Sequence, residues 1–260
     1  MTRIIAIANQ KGGVGKTTTT VNLAAGLAQS GKRVLLADLD PQGNATMGSG
    51  VDKRALRHTV YHVLLGLSAV QHVRTRADGG SYDILPANRD LAGAEVEMVE
   101  LENRELRLKG ALAPVAPEYD FILLDCPPAL NLLTVNGLVA ADSVIIPMQC
   151  EYYALEGLTD LINTIKKVRA HLNPRIEIDG LVRTMFDPRN TLAQQVSDDL
   201  QQHFGAKVYE TIIPRNVRLA EAPSYGKPSI EFDPGCKGSQ AYLALTEEVL
   251  WREAATQAVA

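Results

Sequence analysis

The sequence has 260 residues, of which 46% are hydrophobic and 22% are charged. This is the usage of an ordinary globular protein, and it excludes a mainly disordered or collagen-like chain. The chain has 30 acidic and 26 basic side chains, which gives a net charge of −4. This net charge would not attract the whole molecule to nucleic acid or to an anionic membrane. Any such binding would have to come from a local surface.

The cysteines and the apolar runs indicate the cellular compartment in which the protein is expected to work. Cys126, Cys150 and Cys236 contain no CxxC pair and leave an odd thiol in any disulfide scheme, which favours a reducing cytoplasm. We expect Cys126 to be a packed residue rather than a reactive thiol. No apolar run approaches the roughly 18 residues that span a bilayer, and we expect no export signal at the N-terminus.

Short apolar runs alternate with longer helical patterns along the chain. The predicted strands are residues 4–8, 34–37, 82–85, 121–124, 143–147, 178–182 and 208–213. The predicted helices are residues 17–29, 95–113, 132–140, 155–172, 192–204 and 240–252. This alternation, with several strands apolar on both faces, predicts a three-layer α/β fold around a doubly wound, mostly parallel sheet. The Gly- and Pro-rich residues 223–238 are too few to separate domains, so we expect one domain over residues 1–260.

A glycine-rich run between the first strand and the first helix predicts a phosphate-binding loop. The run NQKGGVGKTT matches the end of the pattern G-x-x-x-x-G-K-[ST], although Gln10 stands where the pattern has its first glycine. Glycines let successive backbone N–H groups point at phosphate oxygens, and the following helix adds its positive end. Lys16 reaches the β- and γ-phosphates, and the Thr17 hydroxyl is a ligand for Mg²⁺. The candidate nucleotide contacts are Lys11, Gly12, Gly13, Val14, Gly15, Lys16, Thr17 and Thr18.

Lys11 adds a second positive charge to this loop, five residues before Lys16. Its flexible ammonium group can neutralise charge that develops on a transferred phosphoryl group. Together with Lys16, it is a candidate catalytic residue. The alternative is a solvated surface lysine.

Carboxylates follow two further strands. Asp38 and Asp40 end the second strand, and alternation places both on one side, at the carboxyl edge where open α/β sheets bind ligands. An aspartate there can orient the attacking water or hold waters of Mg²⁺. Asp125 ends the apolar run 121–124 and can bind Mg²⁺ through water or pair with Thr17. Turn or capping roles are the alternatives, but the motifs together favour nucleotide hydrolysis. No N-K-x-D segment occurs, which favours ATP over GTP.

The run KGGVGKTT over residues 11–18 resembles the deviant phosphate loop of the ParA/MinD family of ATPases, and DLDPQGN over residues 38–44 is similar to the family's next motif. The resemblance extends from Ile4 to about Val249 and looks closest to the short chromosomal ParA (Soj) subgroup. It implies that Lys11 crosses to the nucleotide of a second subunit, so that ATP joins a homodimer. It also implies that Asp40 activates water, while Asp38 lies nearer the metal.

The same resemblance implies a use for the ATP cycle. A late loop that holds the adenine in the family resembles residues 213–223, which makes Pro214 and Asn216 candidate base contacts. The ATP-bound dimer would bind double-stranded DNA nonspecifically on the nucleoid, and a centromere-binding ParB-type partner would stimulate slow hydrolysis and release it. Candidate DNA contacts, which could instead be arginines in ordinary surface pairs, are Arg189, Arg218 and, more weakly, Arg215, Lys227 and Lys237.

The same fold could also support functions other than DNA partitioning. A MinD-like membrane switch needs a basic C-terminal amphipathic helix, but residues 251–260 contain one basic residue, so we expect no stable membrane binding. An iron–sulfur carrier needs paired cysteines, and the absence of a CxxC pair weakens this alternative. A metabolic synthase would use the γ-phosphate to activate a small molecule, and Lys11 and the candidate arginines argue against it. An ATPase that positions a flagellar, chemosensory or secretion complex stays open, because an adaptor protein selects the cargo.

Residues 95–112 carry five glutamates toward their start and Arg104, Arg107 and Lys109 toward their end. We expect a solvated helix face, because acids favour the start of a helix and bases its end. A second hypothesis is that these acids receive the basic N-terminal segment typical of ParB partners.

Overall fold

Parallel strands form the centre of the molecule. A computed structural model describes residues 2–79, 81–152 and 154–259, and in these ranges eight strands form one sheet. The strands are β1 (Arg3–Ile7), β2 (Val34–Asp38), β3 (Thr75–Arg76), β4 (Asp83–Leu85), β5 (Phe121–Asp125), β6 (Ser143–Gln149), β7 (Glu177–Phe186) and β8 (Val208–Pro214). Their order is β3-β4-β2-β5-β1-β6-β7-β8, and each neighbouring pair is parallel except β3 and β4. This confirms the predicted fold class.

Helices connect the strands and cover both faces of the sheet. They are α1 (Lys16–Gln29), α2 (Asn44–Gly48), α3 (Val60–Leu64), α4 (Val70–Val73), α5 (Leu91–Glu97), α6 (Arg107–Leu112), α7 (Leu132–Ala140), α8 (Ala154–His171), α9 (Thr191–Phe204), α10 (Val217–Glu221), α11 (Ser229–Phe232) and α12 (Lys237–Val259). Short 3₁₀ turns lie at Met98–Glu100, Arg104–Leu106, Ala116–Glu118, Gly205–Lys207 and Ala222–Tyr225.

Strand alternation divides the buried residues into two cores. Leu35 packs into one core with α7 and α8, whereas its neighbour Leu36 packs into the other core with α1 and α12. Both leucines are fully buried, because helices cover each face of β2. The two cores and the sheet between them account for the three layers that the sequence predicts.

The single helix predicted over residues 95–113 is wrong. The chain leaves α5 after Glu97, passes through two 3₁₀ turns and enters α6 only at Arg107. Between the turns, Asn103 has a φ of 53°, a left-handed conformation that a continuous α-helix cannot contain. The predicted gradient of acids and bases along one helix is therefore wrong as well.

The seven predicted strands are all present, and β6 and β7 run beyond their predicted ends. The short elements α2, α3, α4, α10, α11 and β3 escaped prediction. At four to five residues, each helix is too brief for a 3.6-residue period to register. Helix α12 is longer than the predicted 240–252.

Candidate nucleotide-binding site

The carboxyl ends of three central strands meet at one edge of the sheet. In register, Ile7 of β1 and Asp38 of β2 both lie beside Asp125 of β5. The glycine-rich loop follows β1 directly, so the loop and both aspartates occupy the same edge. Open parallel sheets bind ligands at this edge, and the sequence prediction placed these groups there.

The loop turns through two glycines with left-handed backbone. Gly13 has a φ of 73°, and Gly15, which precedes α1, has a φ of 88°. Residues with a side chain rarely adopt this conformation, so both positions favour glycine. A Cβ at Gly12 or Gly13 would meet no atom within 4 Å, so open space lies beside the loop where phosphate oxygens can approach.

Hydrogen bonds from two side chains, one in the loop and one in β7, hold the loop in place. The Thr184 hydroxyl, near the end of β7, donates to the Val14 carbonyl at 2.8 Å. The Asn9 amide donates to the Pro147 carbonyl of β6 at 2.8 Å, and its oxygen accepts the Lys11 N–H at 3.0 Å. Asn9 and Thr184 are both buried, and the loop is thereby fixed to β6 and β7 before any ligand binds.

The two lysines of the loop have different surroundings. Lys16 is 93% buried by area (7% exposed), and its Nζ donates to the Lys11 carbonyl at 3.0 Å across the mouth of the loop. Burial lowers the pKa of Lys16, although the negative charge of Asp125 acts in the opposite direction. The Lys11 side chain is 40% exposed and forms an ion pair with Glu151. Lys16 thus points into the loop, whereas Lys11 lies at its surface.

Asp125 is fully buried and accepts two hydroxyl hydrogen bonds from α1. Thr17 donates to one carboxylate oxygen at 2.8 Å, and Thr20 donates to the other at 2.9 Å. Burial first, and then the charge of Asp38, raise the pKa of Asp125. The pairing of Asp125 with Thr17 matches one of the two arrangements that the sequence predicts.

Asp38 and Asp40 have separate environments although they are two residues apart. Asp38 is fully buried and accepts the Thr46 N–H at 2.8 Å, the Thr46 hydroxyl at 2.7 Å and the Asp40 N–H at 3.1 Å. Burial raises the pKa of Asp38. Asp40 is partly exposed, and one of its oxygens accepts the Gln42 N–H at 2.9 Å. Water at the site can therefore reach Asp40 more readily than Asp38.

The Thr17 hydroxyl and the Asp125 carboxylate fit a Mg²⁺ ion. Within residues 2–79, 81–152 and 154–259, no three His, Cys, Asp or Glu side chains converge as a metal cage. Mg²⁺ needs no such cage, because it retains several waters and takes the rest of its ligands from one or two side chains and from phosphates. Whether Asp38 also contributes to a metal site stays a prediction.

A cavity of about 460 Å³ opens beside the first turn of α1. Its lining includes Thr17 and Thr18 of α1, Met47 of α2 and the later residues Leu219 and Pro223. This volume lies within the usual range of small-molecule sites, roughly 300–1,000 Å³, and is enough for a nucleoside. The cavity adjoins the loop through Thr17 and Thr18, so one ligand can occupy both.

The candidate base contacts lie next to this region but not in the cavity lining. Pro214 ends β8, and Asn216 precedes α10, where its amide oxygen accepts the Arg218 N–H at 2.8 Å. This cap commits the oxygen of Asn216 to the backbone. Base recognition by these two residues stays a prediction.

The candidate DNA-binding arginines are exposed and follow adjacent strand ends. Phe186 at the end of β7 pairs with Pro214 at the end of β8, which brings Arg189 and Arg215 into one neighbourhood. Arg189 is paired with Asp187 at 2.8 Å. Arg218 is paired with Glu221 at 2.8 Å and with Asp233 at 3.2 Å.

Sequence reasoning missed four residues that shape this site, namely Asn9, Thr20, Glu151 and Thr184. Thr20 could have been found, because it stands three residues after Thr17 and so shares its helix face. The other three make contacts that span 138 to 170 residues of sequence, and a local pattern does not record such contacts. No helix in the described part of the chain combines the length and the apolarity that a bilayer span requires.

Comparisons with known proteins agree with this geometry. The AAA domain family matches residues 2–178. The chain is 52% identical to the chromosome partitioning protein ParA of Caulobacter vibrioides over 260 residues, which cover 99% of this chain and 97% of that one. It is 54% identical to the sporulation initiation inhibitor protein Soj of Bacillus subtilis over 249 residues, which cover 96% and 98% of the two chains.

Solved structures give the same fold. A cobyrinic acid a,c-diamide synthase from Mycobacterium smegmatis, solved with an ATP analog and magnesium, has a TM-score of 0.85, 39% identity and coverage of 96% and 95% of the two chains. The cell division ATPase MinD of Pyrococcus furiosus has a TM-score of 0.79, 26% identity and coverage of 96% and 98%. On the identity and coverage of these relatives, the chain belongs to the ParA/Soj family of chromosome-partitioning ATPases.

Proposed function

We propose that the chain is one ATPase domain that binds ATP and Mg²⁺ and hydrolyses the β–γ bond. The observation that carries this proposal is the Thr17–Asp125 hydrogen bond at the mouth of a loop whose buried Lys16 points inward. Mg²⁺, when bound by Thr17 and Asp125, would neutralise phosphate charge. Lys16 holds the β- and γ-phosphates, the loop backbone donates to their oxygens, and Asp40 orients the attacking water.

The active form that we propose is a homodimer joined through ATP. Lys11 supports this, because its ammonium lies at the surface of the loop and its ion-pair partner among the described residues, Glu151, is itself about half exposed. Exposed ion pairs contribute little free energy, about 0–1 kcal/mol, so Lys11 can leave Glu151 for a phosphate of a second subunit. A site completed only in the dimer would turn over slowly.

The dimer binds double-stranded DNA nonspecifically in this proposal, and a ParB-type partner stimulates hydrolysis and releases the DNA. The exposed side chains of Arg189, Arg215 and Arg218 support DNA contact, since phosphate binding needs accessible cations rather than a positive whole molecule. A cytoplasmic, nucleoid-associated location follows from this role.

Two other functions are less well supported. An ATPase that positions another cargo would use the same ATP cycle. Only the identity of its partner protein would distinguish it from a chromosome-partitioning ATPase. A small-molecule synthase has the M. smegmatis structure in its favour, but that protein is 39% identical whereas the partitioning relatives are 52% and 54% identical. Lys11 and the exposed arginines also favour partitioning.

The proposal is tested by light scattering of the full chain with ADP, with ATP, and with ATP on Asp40→Ala. We expect a monomer with ADP, dimers with ATP, and more persistent dimers for Asp40→Ala because hydrolysis is slowed. Each sample is then titrated with salt in a DNA-binding assay, where only the dimers should bind and only at low salt. A monomer in all three conditions would overturn the ATP-joined dimer.

The DNA interface is tested by Arg218→Glu, alone and combined with Arg189→Glu. We expect loss of DNA binding with ATP binding intact, because the reversed charge repels phosphate while the loop is untouched. Arg175→Glu is the matched control, since exposed Arg175 lies just before the amino end of β7, at the opposite edge of the sheet. Unchanged DNA affinity in the double variant would remove these arginines from the interface.

A further inference from the structure

An apolar groove lies at the amino end of β7, between α8 and the 3₁₀ turn that follows α9. Its volume is about 360 Å³, and its apolar lining includes Ile162, Ile165, Ile176, Ile178 and Phe204. The amino ends of β6 and β7 pair with each other, so the groove lies at the edge of the sheet opposite the nucleotide site. We call this feature the α8–β7 groove.

The floor of this groove is the edge of the hydrophobic core under α8. Ile165 and Ile176 are 4% and 0% exposed and belong to that core. Ile162, Ile178 and Phe204 pack against it but are only partly buried. These apolar side chains are recessed between α8 and the end of α9 rather than protruding from the surface. A side chain of a partner protein can reach them, whereas the flat surface of a bilayer cannot.

Basic side chains surround this apolar floor. Lys166 and Arg169 lie on α8, and Lys207 ends the 3₁₀ turn before β8. All three are exposed, and none forms an ion pair with another residue of the described ranges. Among those residues, Glu177 is the one acid in the groove lining. The rim of the groove therefore has uncompensated positive charge.

The charge around the groove is opposite in sign to that of the whole chain. Residues 161–176 contain two lysines, two arginines and no aspartate or glutamate. With Lys207 they give five positive charges, although the net charge of the chain is −4. Lys166 and Arg169 are three residues apart on α8, a spacing at which like charges repel each other. An anionic partner would relieve this repulsion.

We propose that the α8–β7 groove is a docking site for an acidic amphipathic segment of a partner protein. Aspartates or glutamates of that segment pair with Lys166, Arg169 and Lys207, and its apolar side chains enter the groove between the isoleucines. Ile162 and Arg169 are seven residues apart, which is about two turns or 10 Å of α8. A short helix of the partner therefore covers the whole contact.

The isoleucines distinguish such a segment from nucleic acid. A phosphate backbone can pair with the three cations, but it has no apolar side chain to enter the groove. An acidic amphipathic segment satisfies both the rim and the floor. DNA is therefore one of the competitors against which the proposal is tested.

The position of the groove predicts when the partner binds. The groove lies at the amino ends of β6 and β7, whereas the phosphate loop and the candidate DNA-binding arginines follow the carboxyl ends of strands. Docking should therefore compete neither with ATP nor with DNA. On the proposed ATP cycle, such a site attaches the ATPase to a second assembly in both nucleotide states.

Docking is tested by fluorescence anisotropy on the full chain, without nucleotide and with ATP and Mg²⁺. The probe is a labelled helical peptide of about 15 residues, made of glutamate, alanine and leucine with the leucines on one face, and its scrambled form is the control. We expect Lys166→Glu with Arg169→Glu to weaken binding about tenfold, with a melting temperature near wild type because both residues are exposed. Ile162→Ala should weaken binding severalfold, because the groove loses apolar area.

The matched control is Lys32→Glu with Arg57→Glu, which changes the net charge equally at exposed positions elsewhere. We expect less than about a twofold effect from it. Equal weakening by this control, or equal binding of the scrambled peptide, would overturn the inference.

Competition without nucleotide separates the peptide from other anions. Unlabelled double-stranded DNA and vesicles of anionic phospholipid should leave the peptide bound, and its displacement by either would overturn the assignment to a protein segment. Equal affinity with and without ATP is expected, and binding in one nucleotide state alone would contradict a site outside the ATP cycle. ATP-dependent dimers without any peptide binding would overturn the docking site and leave the proposed ATPase intact.

Discussion

At the scale of the residue, two buried carboxylates lie side by side at the ends of β2 and β5. Asp38 and Asp125 are both fully buried, and the charge of Asp38 adds to burial in raising the pKa of Asp125. A carboxyl whose pKa is raised on folding binds more protons in the folded state than in the unfolded one. Stability from this group is therefore lost as pH rises through the raised pKa.

The first prediction follows from this loss of stability at higher pH. Without nucleotide, we expect Asp125→Asn to melt about 2–4 °C higher than wild type near pH 8, and the difference to shrink toward pH 5. The Asn side chain cannot carry the buried charge, so the cost of ionisation disappears. We expect ATP with Mg²⁺ to raise the melting temperature of the wild type, and the variant should lose this rise. Thermal melts at several pH values measure both effects.

Asp120→Asn is the control for this prediction. The hydrogen bonds and charge of Arg33 hold the pKa of partly exposed Asp120 down to about 2, so its contribution is present at neutral pH and is lost in acid. Its replacement should not change the slope between pH 5 and 8. A melting temperature for Asp125→Asn that followed the wild-type pH profile would show that the buried pair is not a source of the pH dependence.

At the scale of the element, β7 supports the phosphate loop although it is separated from β1 by β6. Thr184 is buried and donates to the Val14 carbonyl, so its hydroxyl connects β7 to the turn that binds phosphate. The loop glycines leave this turn with little stiffness of its own. Its shape therefore depends on contacts from neighbouring strands.

We predict that Thr184→Val weakens ATP binding several-fold and lowers the free energy of unfolding by about 1 kcal/mol. The substitution keeps the shape of the side chain and removes only the hydroxyl, which leaves the Val14 carbonyl unpaired. Thr164→Val is the control, because the partly exposed Thr164 donates its hydroxyl to the Asp160 carbonyl within α8 and makes no contact with the loop. Isothermal titration and urea unfolding separate the two effects, and equal ATP affinity in both variants would contradict the bracing role.

The same contrast between local and distant contacts explains what the sequence predicts well. Buried strands such as 121–125 and the loop glycines leave a local signal, because each is fixed by apolar burial or backbone geometry. Asn103 breaks the predicted helix through a single left-handed residue, which hydrophobic spacing does not reveal. Glu151 and Thr184 reach the loop only through the order of strands in the sheet, which a pattern of neighbouring residues does not contain.

At the scale of the whole molecule, the net charge and the proposed DNA binding are reconciled by where the charges lie. The negative charge is concentrated in residues 91–106, between β4 and β5. The candidate arginines lie beyond β7 and β8, at the other end of the strand order. The net charge of −4 therefore does not determine the electrostatic field around the candidate arginines.

The salt dependence of DNA binding tests this arrangement. A dimer that places Arg189, Arg215 and Arg218 of both subunits on phosphates should give a slope of about −5 in a plot of log affinity against log salt. Arg189→Ala should reduce that slope by about 2, since each dimer loses two contacts. The same variant at Arg175 should leave it unchanged. A slope for Arg189→Ala equal to that of the wild type would mean that Arg189 does not contact DNA.

The residues that hold the phosphate loop in place are far apart in sequence, which has a consequence for folding during synthesis on the ribosome. The hydroxyl of Thr184 meets the carbonyl of Val14 across 170 residues, and Thr17 meets Asp125 across 108. The phosphate loop leaves the ribosome early, but its last brace follows only after most of the chain has been made. Nascent chains that end before β7 should therefore bind ATP weakly, and ATP capture would mark the completion of the sheet rather than its beginning.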